Sequence, residues 1–349
     1  MDNLQLPTEI LLRFGVLPEQ SSVEFRGNNG GYSGARLWQV SSGDSQLFCL
    51  RRWPVGETYQ RILFVHRILF FAAQQGFPPS LLPLPKRGEN GPGKEGGSIQ
   101  SDGRGFFYEL CPWLGGAADF DSRPSIQRVQ AAAETLARLH LALSGFPVQG
   151  RTKSILPGVQ KRLAFIEELD AGLFLKISQI GGGDSFGGLG LRICESYLRL
   201  APALKAELIE MSSQAFSQQV CLKDIWHDHL LFEGEKVSGV VDFGAIGVDN
   251  VATDVSRLFG SLFQNDQELW KIGLEAYRSI RELSEAEMKL IEVYDRSTTM
   301  LAGLNWLRWI LVENRKFESI VPIVKRMEKL AHRLSDWIEF RNPSFKWNL

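Results

Sequence analysis

The chain has 349 residues, 44% of them hydrophobic and 23% charged, with 22 Phe and 9 Trp. That suits about two domains with their own cores and excludes both a mini-protein and a disordered chain. Its 39 Lys and Arg against 40 Asp and Glu leave a formal charge of −1, so no global positive field draws it to nucleic acid or to an anionic membrane.

After a polar start, residues 22–25, 35–40 and 46–53 are short β-favouring runs separated by the glycine-rich 27–34 and by Ser41-Ser42-Gly43-Asp44, which predicts a small antiparallel sheet. Ile62, Val65, Leu69 and Ala72 recur at three- and four-residue steps before Gly76 and Pro78, predicting a helix whose apolar face covers the sheet. Seven glycines fall within the 22 residues 84–105, predicting an extended strand and a mobile hairpin loop. Residues 106–114 read as a strand until Pro112, with a boundary near Gly115-Gly116. From Ser125 the pattern turns helical, with Ile126, Val129, Ala133, Leu136, His140 and Leu143 on one stripe. There His140 reads as a hydrogen-bonded core histidine rather than a catalytic one. Residues 181–188 are a low-complexity surface link, 220–243 form a β-like island, and Ile323, Met327, Leu330, Leu334 and Trp337 mark an amphipathic helix.

The longest strictly apolar run is the six residues 68–73, far short of the roughly 20 a spanning helix requires. The start, Met-Asp-Asn-Leu-Gln, lacks the pattern of a secretory signal, so the expected location is the cytoplasm. Cys49, Cys111, Cys194 and Cys221 contain no Cys-x-x-Cys pair and read as free thiols.

The chemistry-bearing segment is the island at 220–243. Asp224 is followed five residues later by His229, and 18 residues after Asp224 comes Asp242, within Asp242-Phe243-Gly244. Protein kinases use the same order, in which the first carboxylate receives the hydroxyl proton and the later groups hold Mg²⁺. Residues 230–232 and 237–241 would form a hairpin between them. The bland readings are two turn-bound aspartates, a loop-bracing His229 and a merely flexible 27–34. The adjacent His227-Asp228-His229 suggests a metallohydrolase, but neighbouring residues point to different sides and rarely chelate one ion.

With Leu-Ala-Arg-Leu-His at 136–140, Gly30-Gly31-Tyr32-Ser33-Gly34-Ala35-Arg36, Leu50-Arg51-Arg52-Trp53-Pro54, and Val241-Asp242-Phe243-Gly244 followed by Asp254-Val255-Ser256-Arg257-Leu258, the chain resembles the aminoglycoside phosphotransferase and choline kinase-like superfamily over about residues 22–262. The resemblance implies an α+β, bilobal protein-kinase-like fold, with a small antiparallel β-rich nucleotide-binding lobe at 1–112 and a larger helical lobe with the catalytic loop and acceptor pocket at 113–349. It implies transfer of the γ-phosphate of ATP, with Mg²⁺ or Mn²⁺, to a hydroxyl of a small molecule such as an aminoglycoside, an amino alcohol or a sugar-like compound. By position Asp224 matches the catalytic Asp, Asp242 the metal-binding Asp, with His229 beside it, and Asp254 an acid that braces the loop. Arg51 matches the strand cation that reaches the ATP phosphates. Gly30, Gly31 and Ser33 would cover the phosphates, and the backbone of 109–113, with Glu109 and Cys111, matches the hinge where adenine lies. No motif marks the acceptor's identity or an oligomer contact.

The departures are specific. Leu222, Lys223 and His229 stand where the family has His, Gly and Asn, and an imidazole is a softer ligand than Mg²⁺ prefers. The helix that should supply an acid to the strand cation offers Val65 or His66, so Arg51 needs another partner or binds phosphate alone, a role that suits its forked guanidinium. Leu222 and His229 motivate the alternative of a pseudokinase that binds nucleotide or a small ligand without transferring phosphate.

Overall fold

The computed structural model describes residues 8–27, 34–43, 45–86, 96–148, 155–181, 188–317 and 319–339. In chain order its elements begin with α1 (Thr8–Arg13), β1 (Ser22–Gly27), β2 (Arg36–Ser41), β3 (Leu47–Arg52), α2 (Tyr59–Gln74), β4 (Gln100–Ser101) and β5 (Phe107–Pro112). The helices α3 (Ile126–Leu143), α4 (Pro157–Glu168), α5 (Phe174–Gly181) and α6 (Leu189–Ser212) follow, then β6 (Gln219–Cys221), β7 (Leu230–Glu233), β8 (Lys236–Val240) and β9 (Gly247–Asp249). The chain continues through α7 (Ala252–Phe263), α8 (Gln267–Arg278), α9 (Glu285–Leu307) and α10 (Val321–Glu339).

The chain forms two compact units, one of Met1–Arg123 with Asp228–Gly244 and the other of Pro124–His227 with Ala245–Leu349. The first thus extends past the expected boundary after residue 112 and takes in the β7–β8 hairpin. Its antiparallel sheet runs β1-β2-β3-β5-β4. Because successive strand residues face opposite sides, Trp38, Val40, Phe48, Leu50, Tyr108 and Leu110 share one buried face, and Ile10, Leu11 and Phe14 pack against it. The sequence expectation of a mere polar start therefore gives way to a helix, α1, that covers this face. The other face carries Cys49 and Arg51 of β3 directly opposite Cys111 and Glu109 of β5. There α2 lies, its start capped by Thr58, which accepts from the Arg61 N–H. Ile62, Val65, Leu69 and Ala72 are buried as their spacing predicts, and so is His66. The expected hairpin at 230–241 forms, with Gly234 at φ 58° turning β7 into β8.

In the second unit β6 pairs antiparallel with β9, and α3 packs on α8, α7 on α9, and α6 on both α9 and α10. Ser125 caps α3, and Ser284 with Glu287 forms a reciprocal capping box on α9. The α3 stripe is buried at Val129, Ala133, Leu136, His140 and Leu143. Ile126 departs from that stripe: at 51% exposure it lies outside the core, in the first turn of the helix. Ile323, Met327, Leu334 and Trp337 of α10 are buried. Among the described residues no helix is long and apolar enough to cross a membrane.

Candidate active site

In the first unit, register brings charges together. Arg51 and Glu109 are cross-strand partners, and their side chains approach with Arg51 NH1 at 3.7 Å from Glu109 Oε1. The same guanidinium places NH2 at 3.2 Å from Asp242 Oδ1 and lies over the Trp53 ring, 4.3 Å from its centroid. Burial opposes the charge on Arg51, but Glu109 and Asp242 outweigh it and hold the guanidinium pKa above its ordinary value.

Asp242 follows β8 and adopts φ 60°, a left-handed conformation that a non-glycine residue takes at about 1–3 kcal/mol of strain. The backbone there turns so that the Gly244 N–H donates to Asp242 Oδ1 at 3.3 Å. A side chain at Gly244 would place its Cβ 3.1 Å from Arg51 NH2 and 3.2 Å from Asp242 Oδ1, so the glycine leaves room for the ion pair. Arg61, in the first turn of α2, donates to the Gly244 carbonyl at 2.7 Å. Partial burial raises the Asp242 pKa, whereas Arg51, then His229 and the Gly244 N–H, lower it, and the balance lies below the usual carboxylate value.

The other Asp242 oxygen, Oδ2, is 3.8 Å from His229 Nε2. One divalent ion with ligand distances of about 2.1 Å spans such a gap, and Mg²⁺ is commonly held by only one or two carboxylates together with substrate phosphates. An ionised Asp242 with His229 therefore fits a metal that arrives with a nucleotide.

In the second unit, Asp224 lies in the loop after β6, exposed, with its Oδ1 accepting from Arg257 Nε at 3.3 Å and NH2 at 3.2 Å. The loop is fixed from beneath by Asp254 of α7, which is fully buried. Its Oδ2 accepts the Leu222 N–H at 2.6 Å and its Oδ1 the Lys223 N–H at 2.7 Å. His140 Nε2 donates to Asp254 Oδ2 at 3.0 Å, and His140 Nδ1 meets the Tyr277 hydroxyl at 2.7 Å. Burial lowers the His140 pKa despite the neighbouring carboxylate, leaving a neutral ring that donates through Nε2 and accepts from Tyr277. His140, Cys221 and Asp254 cluster closely enough for a metal, but these hydrogen bonds already account for both ring nitrogens and for the carboxylate. Lys223 sits at φ 68°, where the resembled family has glycine, and its Nζ lies 3.8 Å from Asp249 Oδ2.

The structure thus groups Arg51, Glu109, His229 and Asp242 within one unit and places Asp224 in the other. Gly30, Gly31 and Ser33 lie outside the described residues. Cys111 is buried opposite Cys49, and its thiol is pushed well up by burial and by Glu109. Sequence reasoning valued Glu109 for its backbone and gave Arg51 no acidic partner; the Glu109 side chain is that partner. It also passed over Arg257 as a partner of Asp224, although Arg257 lies three residues after the loop-bracing Asp254, on the same side of α7.

A model of the phosphotransferase enzyme family matches residues 24–290, well over half of the chain. The chain is similar to homoserine kinase of Methylocella silvestris, 26% identical over 196 residues that cover 53% of each chain. It is similar to homoserine kinase of Agrobacterium fabrum, 33% identical over 82 residues covering 22% of this chain and 26% of the relative. The chain spans about half the length of curated relatives it matches, 53% and 51% of two of them. Among solved structures, a spectinomycin phosphotransferase bound to ADP and spectinomycin has a TM-score of 0.67 at 14% identity, covering 94% of this chain and 96% of that one. A microcompartment-associated aminopropanol kinase has a TM-score of 0.65 at 15% identity, covering 99% and 100%. An aminoglycoside phosphotransferase of Alicyclobacillus acidocaldarius has a TM-score of 0.63 at 16% identity, covering 89% and 90%. These likenesses establish the kinase-like fold. The family model covers well over half of the chain, and on that ground the chain belongs to the phosphotransferase enzyme family.

Proposed function

We propose that the protein is a kinase that transfers the γ-phosphoryl group of ATP, as its Mg²⁺ complex, to the hydroxyl of a small acceptor that also carries an amino group, such as a hydroxy amino acid or an amino alcohol. The observation that carries this reading is the pairing of Arg51 with Asp242 at 3.2 Å, which sets a permanent cation beside an ionised metal-ligand carboxylate, as phosphoryl transfer from a nucleotide requires. The acceptor class draws on the relatives named homoserine kinase and the fold neighbour named aminopropanol kinase.

In this reading the bond from the γ-phosphorus to the leaving oxygen breaks, the bond to the acceptor oxygen forms, and Asp224 takes the hydroxyl proton. Arg257 orients Asp224 for that role, and Asp254 keeps the loop in place through the Leu222 and Lys223 N–H groups. Arg51 donates to phosphate oxygens and offsets their charge. Asp242, with His229 beside it, would hold the divalent ion, Mg²⁺ or the Mn²⁺ that better suits an imidazole, and that ion would supply further neutralisation of the phosphates when bound. Catalysis comes mostly from positioning. ATP use and free cysteines suit the reducing cytoplasm.

The test is incubation of the purified protein with ATP and Mg²⁺ against a panel of hydroxy amino acids, amino alcohols, aminoglycosides and neutral sugars, with ³¹P NMR of the product. A phosphomonoester on an amino-bearing alcohol is expected; products from neutral sugars alone would contradict the acceptor class, and nucleotide binding with no product would favour a pseudokinase.

A further inference from the structure

α2 has no acidic residue along its whole length, so the ion pair by which kinases fix the strand cation, with the acid on this helix, cannot form here. Glu109 stands in from the neighbouring strand, directly opposite Arg51. Its two oxygens are divided: Oε1 faces Arg51 NH1 at 3.7 Å, and Oε2 accepts from His66 Nε2 at 2.6 Å. His66 is 1% exposed, and its Nδ1 meets the Ser98 hydroxyl at 2.8 Å. The helix therefore still reaches the cation, through an imidazole and a carboxylate in series. A buried carboxylate needs such partners to remain charged; here burial raises the Glu109 pKa, while the His66 hydrogen bond, followed by the Arg51 charge, brings it below its ordinary value.

We propose that Glu109 is the positioning residue for Arg51, and that His66 couples α2 to this pair in place of a helix-borne acid. The proposal rests on the reading of Arg51 as a ligand of the nucleotide phosphates. Glu109 shares Arg51 with Asp242, whose Oδ1 takes NH2 while Glu109 faces NH1. Loss of the Glu109 charge lets the guanidinium swing toward Asp242 alone and out of register with the phosphates, so the effect falls on the nucleotide and spares the acceptor.

The experiment combines calorimetric titration with ATP and Mg²⁺, steady-state kinetics and a double-mutant cycle. Glu109→Gln, nearly isosteric, is expected to weaken ATP binding and raise its KM by roughly tenfold, with the acceptor KM within about twofold of the parent. In an Arg51→Met background the same substitution is expected to change ATP affinity by less than about twofold. His66→Leu should weaken ATP binding as well, while His66→Gln, which can still donate to Glu109, should restore most of it. Unchanged ATP affinity in Glu109→Gln, or effects that multiply with Arg51→Met, would overturn the proposal. Should Glu109→Gln not fold, equal ATP affinities in His66→Leu and His66→Gln would overturn it. Because binding is read without turnover, absence of any phosphorylated product would refute the kinase reading while leaving this coupling measurable.

Discussion

The guanidinium of Arg51 lies 3.2 Å from the carboxylate of Asp242, 191 residues further along the chain. Arg51 is the foremost influence that brings the Asp242 pKa down against partial burial, which acts to raise it. A carboxylate held below its unfolded value contributes its charge above that value and loses it only as pH falls through the folded one. Nucleotide binding that relies on ionised Asp242 should therefore persist through the usual carboxylate range. Arg51→Met removes the leading lowering influence and leaves burial in place. The acid limb of ATP–Mg²⁺ binding, followed by calorimetry between about pH 4 and 7, is expected to move to higher pH, and a limb that stays fixed or moves lower would contradict this account.

Asp254 offers a test of how the loop that carries Asp224 is held. Its carboxylate accepts from the Leu222 and Lys223 N–H groups and from His140, all in a fully buried position. Asp254→Ala strands three donors, each left unsatisfied at about 1–3 kcal/mol, so urea unfolding should show a loss of roughly 3 kcal/mol or more. Asp254→Asn, with one acceptor oxygen, should fall between this variant and the parent. An unchanged unfolding midpoint in Asp254→Ala would show that the loop is braced elsewhere.

The thiols at the sheet face provide a chemical probe. Burial first, then Glu109, pushes Cys49 up to about 12, despite the opposing charge of Arg51. Cys111 is raised well above its ordinary value by the same two influences. Because the thiolate is the reactive form, native protein at about pH 8 should leave both cysteines unmodified by an alkylating agent while denatured protein exposes them. Peptide mapping by mass spectrometry reads this directly; rapid native labelling of Cys49 would contradict the buried arrangement of β3 and β5.

Much of this arrangement was legible in local patterns. The three strands at 22–53, the α2 and α3 stripes and the β7–β8 hairpin follow from alternation, helical spacing and turn residues, which neighbouring residues determine. α1 escaped because six residues make too short a window for periodicity. Glu109 escaped for a different reason: its partnership with Arg51 depends on the register of β3 against β5 across an intervening helix and glycine-rich stretch, and no local spacing encodes that. Arg257 belongs with it, since its meeting with Asp224 depends on where α7 lies under the loop.

The central claim, that Asp224 takes the proton of an acceptor hydroxyl while Arg51 and Asp242 hold the nucleotide, is tested most directly by Asp224→Asn with both turnover and ATP binding measured. The account predicts a fall in kcat of about 10²–10⁴, with ATP–Mg²⁺ affinity and thermal unfolding close to the parent. Full turnover in that variant would contradict it.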